Sequence, residues 1–306
     1  MNEASTSSSR FAVHGIFWRR CIDFIVNRVP SVFHPPLILV AAVIFFFFAG
    51  PARRSALHHL GIILPGSSRF ANYFRVFRIF QNFGWSLTDA ASYRLRRPSF
   101  TYELVGEEFL KELEVAKGGV VLTAHLGNAD LGAAIFAEKF RRELRIVRAP
   151  EPDAMSARHL DESLEQSSAG AVKVEYNTAG SLLSFDLLHA LRQGEIISIQ
   201  GDRVIGDVAQ SPVTLFDRRV LLPTGPFVLA VVAQVPIYPL FIVRSGHHRY
   251  TIVAQKPIPV IRTNESRNET VATAMEQWSG VLQSMIENHW AQWFAFTPVF
   301  EDSPTD

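Results

Sequence analysis

An α/β fold is predicted, with a mostly parallel central sheet flanked by helices and an apolar helical membrane segment ahead of it. Three observations predict it. Beyond residue 118, apolar runs of strand length alternate with stretches of helix length, the pattern of successive βα units. Residues 37–49 are thirteen apolar residues without a break, four of the last five being phenylalanine. The charge is divided unevenly. Residues 1–100 hold twelve arginines, no lysine and three acids, a net +9 that leaves −8 for the rest of a chain whose total is +1.

At 306 residues, 48% hydrophobic and 19% charged, the chain can bury a large core, which excludes disordered and fibrous classes. Its single cysteine, Cys21, excludes an internal disulfide framework and a cysteine-based zinc site. His58-His59 and His247-His248 are adjacent pairs whose rings point apart on a regular element, so no metal is expected. The basic front end suits an anionic surface. A membrane is preferred to nucleic acid because the arginines alternate with Phe, Trp and long aliphatic residues.

Composition divides the chain into four regions. Residues 1–30 are a polar and basic lead, expected to be disordered over 1–10 and loosely helical over 11–30, until Pro30, Pro35 and Pro36 stop the helix. Residues 31–100 are hydrophobic, arginine-rich, membrane-associating helices. As a helix, 37–49 covers about 20 Å against about 30 Å of hydrocarbon, so it fits the interface better than a crossing. Farther on, Phe70, Phe74, Phe77, Ile79, Phe80 and Phe83 interleave with Arg69, Arg75 and Arg78, an apolar helix with a basic edge. Residues 101–300 carry the α/β domain, and 301–306 are a polar tail.

Within the domain, strands are expected at 120–124, 144–149, 171–176, 195–200, 237–243 and 249–255, with a β-ribbon at 213–222. Residues 102–106 are a lead-in. Helices are expected at 107–116, from 129 through Leu131, Ile135, Phe136 and Phe140, and at 155–167, 181–192, 225–234 and 268–289. The last helix has Met275, Trp278, Val281, Leu282, Met285 and Ile286 on its inner side.

The stretch 119–136 organises the domain. Strand 120–124 runs straight into His125. Gly127-Asn128 breaks it and supplies a helix N-cap residue, and Asp130 falls in the first turn of the next helix. Residues five apart on one helix differ by about 140°. His125 lies in the turn before the helix, however, so Asp130 is expected to fold back towards its imidazole. This places a histidine and an orienting carboxylate where open α/β sheets bind ligands.

His125-Leu-Gly-Asn-Ala-Asp130 resembles the HX4D/E box of the glycerolipid and lysophospholipid acyltransferase superfamily. Other landmarks follow in order. Val147-Arg148 stands where the bacterial lauroyl/myristoyl (lipid A late) acyltransferase family has its second-block arginine, and Gln200-Gly-Asp-Arg203 resembles its block ending in Asp. Phe216 with residues 222–230 is similar to the third block, and 235–239 to the fourth. Trp290-Ala-Gln-Trp-Phe294 looks like the family's terminal Gln-Trp-Phe. The resemblance spans about residues 35–297. Three departures, Asp130 where Glu is usual, Ala129 where an aromatic is usual, and Gly201-Asp-Arg203, which is closer to a divergent branch, bear on the acceptor more than on the chemistry.

The resemblance implies a glycerolipid acyltransferase-like fold. It implies a membrane-associated enzyme that moves a fatty acyl group from an acyl thioester to a hydroxyl or amine of a lipid or lipid-like acceptor. The thioester would be carried by acyl-carrier protein (acyl-ACP) or coenzyme A (acyl-CoA), at the cytoplasmic face of the bacterial inner membrane, with no metal or other cofactor. His125 would be the general base and Asp130 would hold its tautomer. Gly127 and Asn128 would aim N–H groups at an oxyanion or phosphate, and Arg148 and Arg203 would bind phosphate. Asp202 either orients Arg203 or serves the fold, the second being preferred. Thr224 and Gly225 form either an anion-binding turn or a plain N-cap. A non-catalytic lipid-binding protein on the same fold and a hydrolase that activates water are the alternatives.

Overall fold

The front end is helical in the computed structural model, which describes residues 16–140, 142–150, 154–178, 182–260 and 266–301. The expected disordered lead (1–10) and all but the first residue of the polar tail lie outside the described residues, as does the side chain of Phe140. Helix α1 (Ile16–Arg28) ends two residues before Pro30. Pro35 and Pro36, expected to stop a helix, instead occupy the first turn of α2 (His34–Phe48), where the N–H groups they lack have no helical partner anyway. With the 3₁₀ turn Ser31–Phe33 before it, α2 makes eighteen continuous residues of mean hydropathy 2.2, only 17% of them buried. By length and composition this is one helix able to cross a membrane.

Two further helices complete the front end, α3 (Gly50–Ile63) and α4 (Arg69–Arg96). The Ser68 hydroxyl caps α4 by accepting from the Ala71 N–H at 3.2 Å. Ala42 of α2, Leu60 of α3 and Val76, Ile79 and Phe80 of α4 form one apolar cluster, closed by Phe294 from the far end of the chain. The opposite faces stay bare: Val40, Val43 and Phe47 of α2 and Phe70 and Phe74 of α4 are exposed.

Strand and helix then alternate as the apolar runs require: β1 (Thr101–Val105), α5 (Glu107–Val115), β2 (Gly119–Thr123), α6 (Ala129–Phe140), β3 (Leu144–Arg148), α7 (Ala154–Ser168), β4 (Val172–Tyr176), α8 (Leu183–Arg192) and β5 (Ile196–Gln200). A hairpin, β6 (Gln210–Leu215) with β7 (Arg218–Pro223), forms a separate two-stranded ribbon. Helix α9 (Gly225–Ala233), β8 (Ile237–Gly246), β9 (Arg249–Ala254) and α10 (Arg267–His289) complete the order. The main sheet runs β1-β9-β8-β2-β5-β3-β4, and every neighbouring pair is parallel except β8–β9. The lead-in at 102–106 is thus an edge strand, pairing with β9.

Central β2 is buried at every position, as a strand covered on both faces must be. Trp278 of α10 locks one side: its ring stacks on Phe241 of β8 at 5.8 Å, and its indole N–H donates to the Gly201 carbonyl at 2.9 Å. The predicted inner face of α10 is observed, with Met275, Trp278, Leu282, Met285 and Ile286 buried and Val281 packed at its margin.

Candidate active site

Register places the central pair. In the parallel pairing of β2 with β5, Thr123 lies opposite Gln200. Two residues beyond each strand end stand His125 and Asp202, side by side at the carboxyl edge of the sheet. The His125 Nδ1 is 2.7 Å from Asp202 Oδ1, and the His125 backbone N–H donates to the same oxygen at 3.1 Å. The other oxygen, Oδ2, accepts from the Trp293 indole N–H at 3.0 Å. Asp202 is completely buried, whereas the His125 side chain keeps 21% of its surface open. Burial alone pushes the Asp202 carboxyl up. The His125 imidazole, the Arg203 guanidinium and the Trp293 N–H outweigh it and hold the group well below the usual carboxylate range.

The expected pairing of His125 with Asp130 is therefore replaced. Asp130, in the first turn of α6, forms an ion pair with Arg148 at the carboxyl end of β3. The physical reason is where α6 starts. Asn128 caps it, its Oδ1 accepting from the Leu131 N–H at 3.3 Å, and this sends Asp130 towards the β3 edge. There it lines a groove with Arg19, Asp23, Arg94 and His159, between α1, α4, α6 and α7. Asp202, read as structural, takes the place beside the imidazole.

Gly127 and Asn128 build the turn, but their N–H groups are engaged: Gly127 donates to the Gln292 carbonyl and Asn128 to that of Ile242, both at 2.9 Å. Gly127 has φ +73°, and a Cβ there would sit 1.9 Å from the Ile242 carbonyl oxygen, so only glycine fits. Arg203 is turned inward rather than towards a ligand: its Nη1 donates to the Phe294 carbonyl at 3.0 Å. Thr224 and Gly225 start α9, the Thr224 carbonyl accepting from Phe227 and Val228. Among the described residues no hydrogen bond joins them to His125, Asp202 or Asp130.

Two groups of site residues escape the sequence reading. The terminal block wraps the turn that carries His125: Gln292 binds Gly127, Trp293 binds Asp202, and the Phe294 N–H donates to the His125 carbonyl at 2.7 Å. That block is visible in the sequence as Trp290-Ala-Gln-Trp-Phe294, but no periodicity says what it touches. The second group comes from α4. Ser86 Oγ donates to the Gly127 carbonyl at 3.2 Å, and the Asn128 side-chain amide donates back to the Ser86 carbonyl at 2.8 Å. One turn on, buried Asp89 accepts from Tyr250 Oη at 2.7 Å and from Arg244 Nε at 2.9 Å.

A histidine beside a buried carboxylate at the carboxyl edge of a mostly parallel sheet, behind a helical front end with one helix long and apolar enough to cross a membrane, defines an α/β protein with a candidate reactive corner among its described residues. The chain belongs to the bacterial lipid A biosynthesis acyltransferase family, whose sequence model it matches over residues 21–301, and it is accordingly an acyltransferase. No individual curated protein matches the chain significantly.

Proposed function

We propose that the chain transfers a fatty acyl group from an acyl thioester, on acyl-carrier protein or coenzyme A, to a hydroxyl or amine of a lipid acceptor at the cytoplasmic face of the bacterial inner membrane. The observation that carries this reading is the 2.7 Å contact between His125 Nδ1 and Asp202. An anionic, fully buried Asp202 keeps the proton on Nδ1 and leaves the Nε2 lone pair for chemistry. Nε2 takes the acceptor's proton as its oxygen or nitrogen attacks the thioester carbonyl. Collapse of the tetrahedral intermediate breaks the C–S bond, and the imidazolium returns the proton to the departing thiolate. Asp202 stabilises the cation formed in between. The first-turn N–H groups of Ala129 and Asp130, ahead of the α6 hydrogen-bond ladder, remain for the oxyanion. Asp130, held by its ion pair with Arg148, lines the groove shared with α1 and α4 and is assigned to substrate recognition there, not to proton transfer.

Mass spectrometry of lipids from cells with the protein, without it and with His125→Ala tests this. An acylated lipid present only with the unaltered chain is expected. The same product from the His125→Ala cells removes the general-base assignment, and release of free fatty acid without any acylated acceptor replaces transfer by hydrolysis.

A further inference from the structure

Away from the His125 corner, a polar cavity of about 350 Å³ opens between α4, the β8–β9 hairpin and the end of α10. Arg78, Arg244 and His289 line it together with the side-chain amides of Asn82 and Gln292, and no carboxylate stands among the described residues of its wall. Arg244 is held from behind. Its Nε donates to Asp89, and its guanidinium lies 4.4 Å over the ring of Trp85, while its two terminal amino groups make no hydrogen bond among the described residues. Arg78 lies over Trp290 at 5.9 Å and has no carboxylate partner among the described residues. Two guanidinium groups, steadied on aromatic faces with donors left over, match the oxygens of a phosphate better than any neutral ligand.

Two further relations say where such a phosphate would come from. Phe70, Phe74 and Arg78 follow at four-residue spacing along one face of α4, and both phenylalanines are exposed. The cavity therefore lies about one helical turn from surface suited to acyl chains, as a lipid phosphate lies beside its own tails. Its wall is also bonded to the reaction turn. The Gln292 side chain clamps the Arg244 backbone at 2.8 and 2.9 Å, while the Gln292 carbonyl accepts from the Gly127 N–H at 2.9 Å.

We propose that this cavity is an anion site for a phosphate group of one of the two substrates, the lipid headgroup or the phosphate-bearing thioester carrier; the choice of these ligands rests on the acyl-transfer reading above. Calorimetric titration of the full chain in detergent, with dioctanoyl phosphatidate, dioctanoylglycerol and coenzyme A as probes, tests it without requiring turnover. Arg78 is exposed, so Arg78→Gln leaves the fold intact, and Arg78→Lys keeps the charge. If the phosphate is the lipid's, Arg78→Gln weakens phosphatidate binding about tenfold, leaves dioctanoylglycerol unmoved, and Arg78→Lys restores part of the loss. If it is the carrier's, coenzyme A binding falls by that factor instead. Unchanged affinity for both phosphate probes in Arg78→Gln and in His289→Gln, or no binding of either to the unaltered chain, overturns the site. Because binding alone is read, such a failure leaves the His125 assignment to stand or fall by its own test.

Discussion

Trp293 reaches Asp202 across 91 positions of sequence: its indole N–H donates to Oδ2 at 3.0 Å, and the other oxygen of that carboxylate faces His125. The carboxylate is thus satisfied from both ends inside a dry setting, and its charge is fixed where the proposed transfer would call for an imidazolium to be stabilised.

Asp202 and Asp130 are separated by substitution. Asp202→Asn keeps the shape, removes the charge and frees the wrong tautomer, so kcat is expected to fall about 10²- to 10⁴-fold with little change in KM. Asp130→Asn breaks only the pair with Arg148 and is expected to act mainly on KM. Steady-state kinetics on the two variants measures this, and equal losses in kcat would remove the distinct role given to Asp202.

Gly127→Ala forces a side chain into a left-handed backbone and against the Ile242 carbonyl. Loss of at least about 2 kcal/mol of unfolding free energy is expected in denaturant titration, together with loss of activity, because the displaced turn carries His125.

His59 of α3 packs 5.3 Å from the Trp293 ring, and burial, helped by the charge of His58, drives its pKa from 6.5 to about 3. The folded chain then holds fewer protons here than the unfolded one between those values, so stability is full above pH 6.5 and falls as the pH drops towards 3. Between pH 7 and 5 the loss amounts to about 2 kcal/mol. His59→Phe, which fills the same space without titrating, is expected to flatten the dependence of Tm on pH over this window. A slope identical to that of the parent would show that other groups set it.

Val40 and Phe47 lie on the bare face of α2, more than half exposed and outside the buried cluster, Phe47 touching only the margin of it through the edge of Phe46. Val40→Asp with Phe47→Asp is expected to leave the circular dichroism spectrum unchanged and to cut co-sedimentation with anionic vesicles at least about tenfold. Retention of full vesicle binding would move the lipid contact to another face.

The sheet was legible because its strands are apolar runs bounded by breaks, and β2, β3, β4 and β5 fall within about two residues of where those runs lie. Edge strand β1 was not, since Tyr102, Glu103 and Leu104 alternate over too short a span to declare themselves. His125 could be found from its place after a strand. Its partner could not be found that way, because proximity in sequence favours Asp130, whereas parallel pairing brings Asp202 from 77 residues away. Register between β2 and β5 decides the matter, and register between distant parallel strands leaves no local mark. The two prolines of α2 misled for a related reason: proline breaks a helix interior but is welcome in a first turn, and only the start point distinguishes the cases.

The reciprocal bonds between Ser86 and the Gly127-Asn128 turn tie the greasy front end to the reacting corner as one mechanical piece. A fragment beginning at residue 101 would therefore not be a smaller, water-loving enzyme. It would expose the amide of Asn128 and the buried flank of the corner together, and loss of the apolar helices would take the support of the His125 turn away with them.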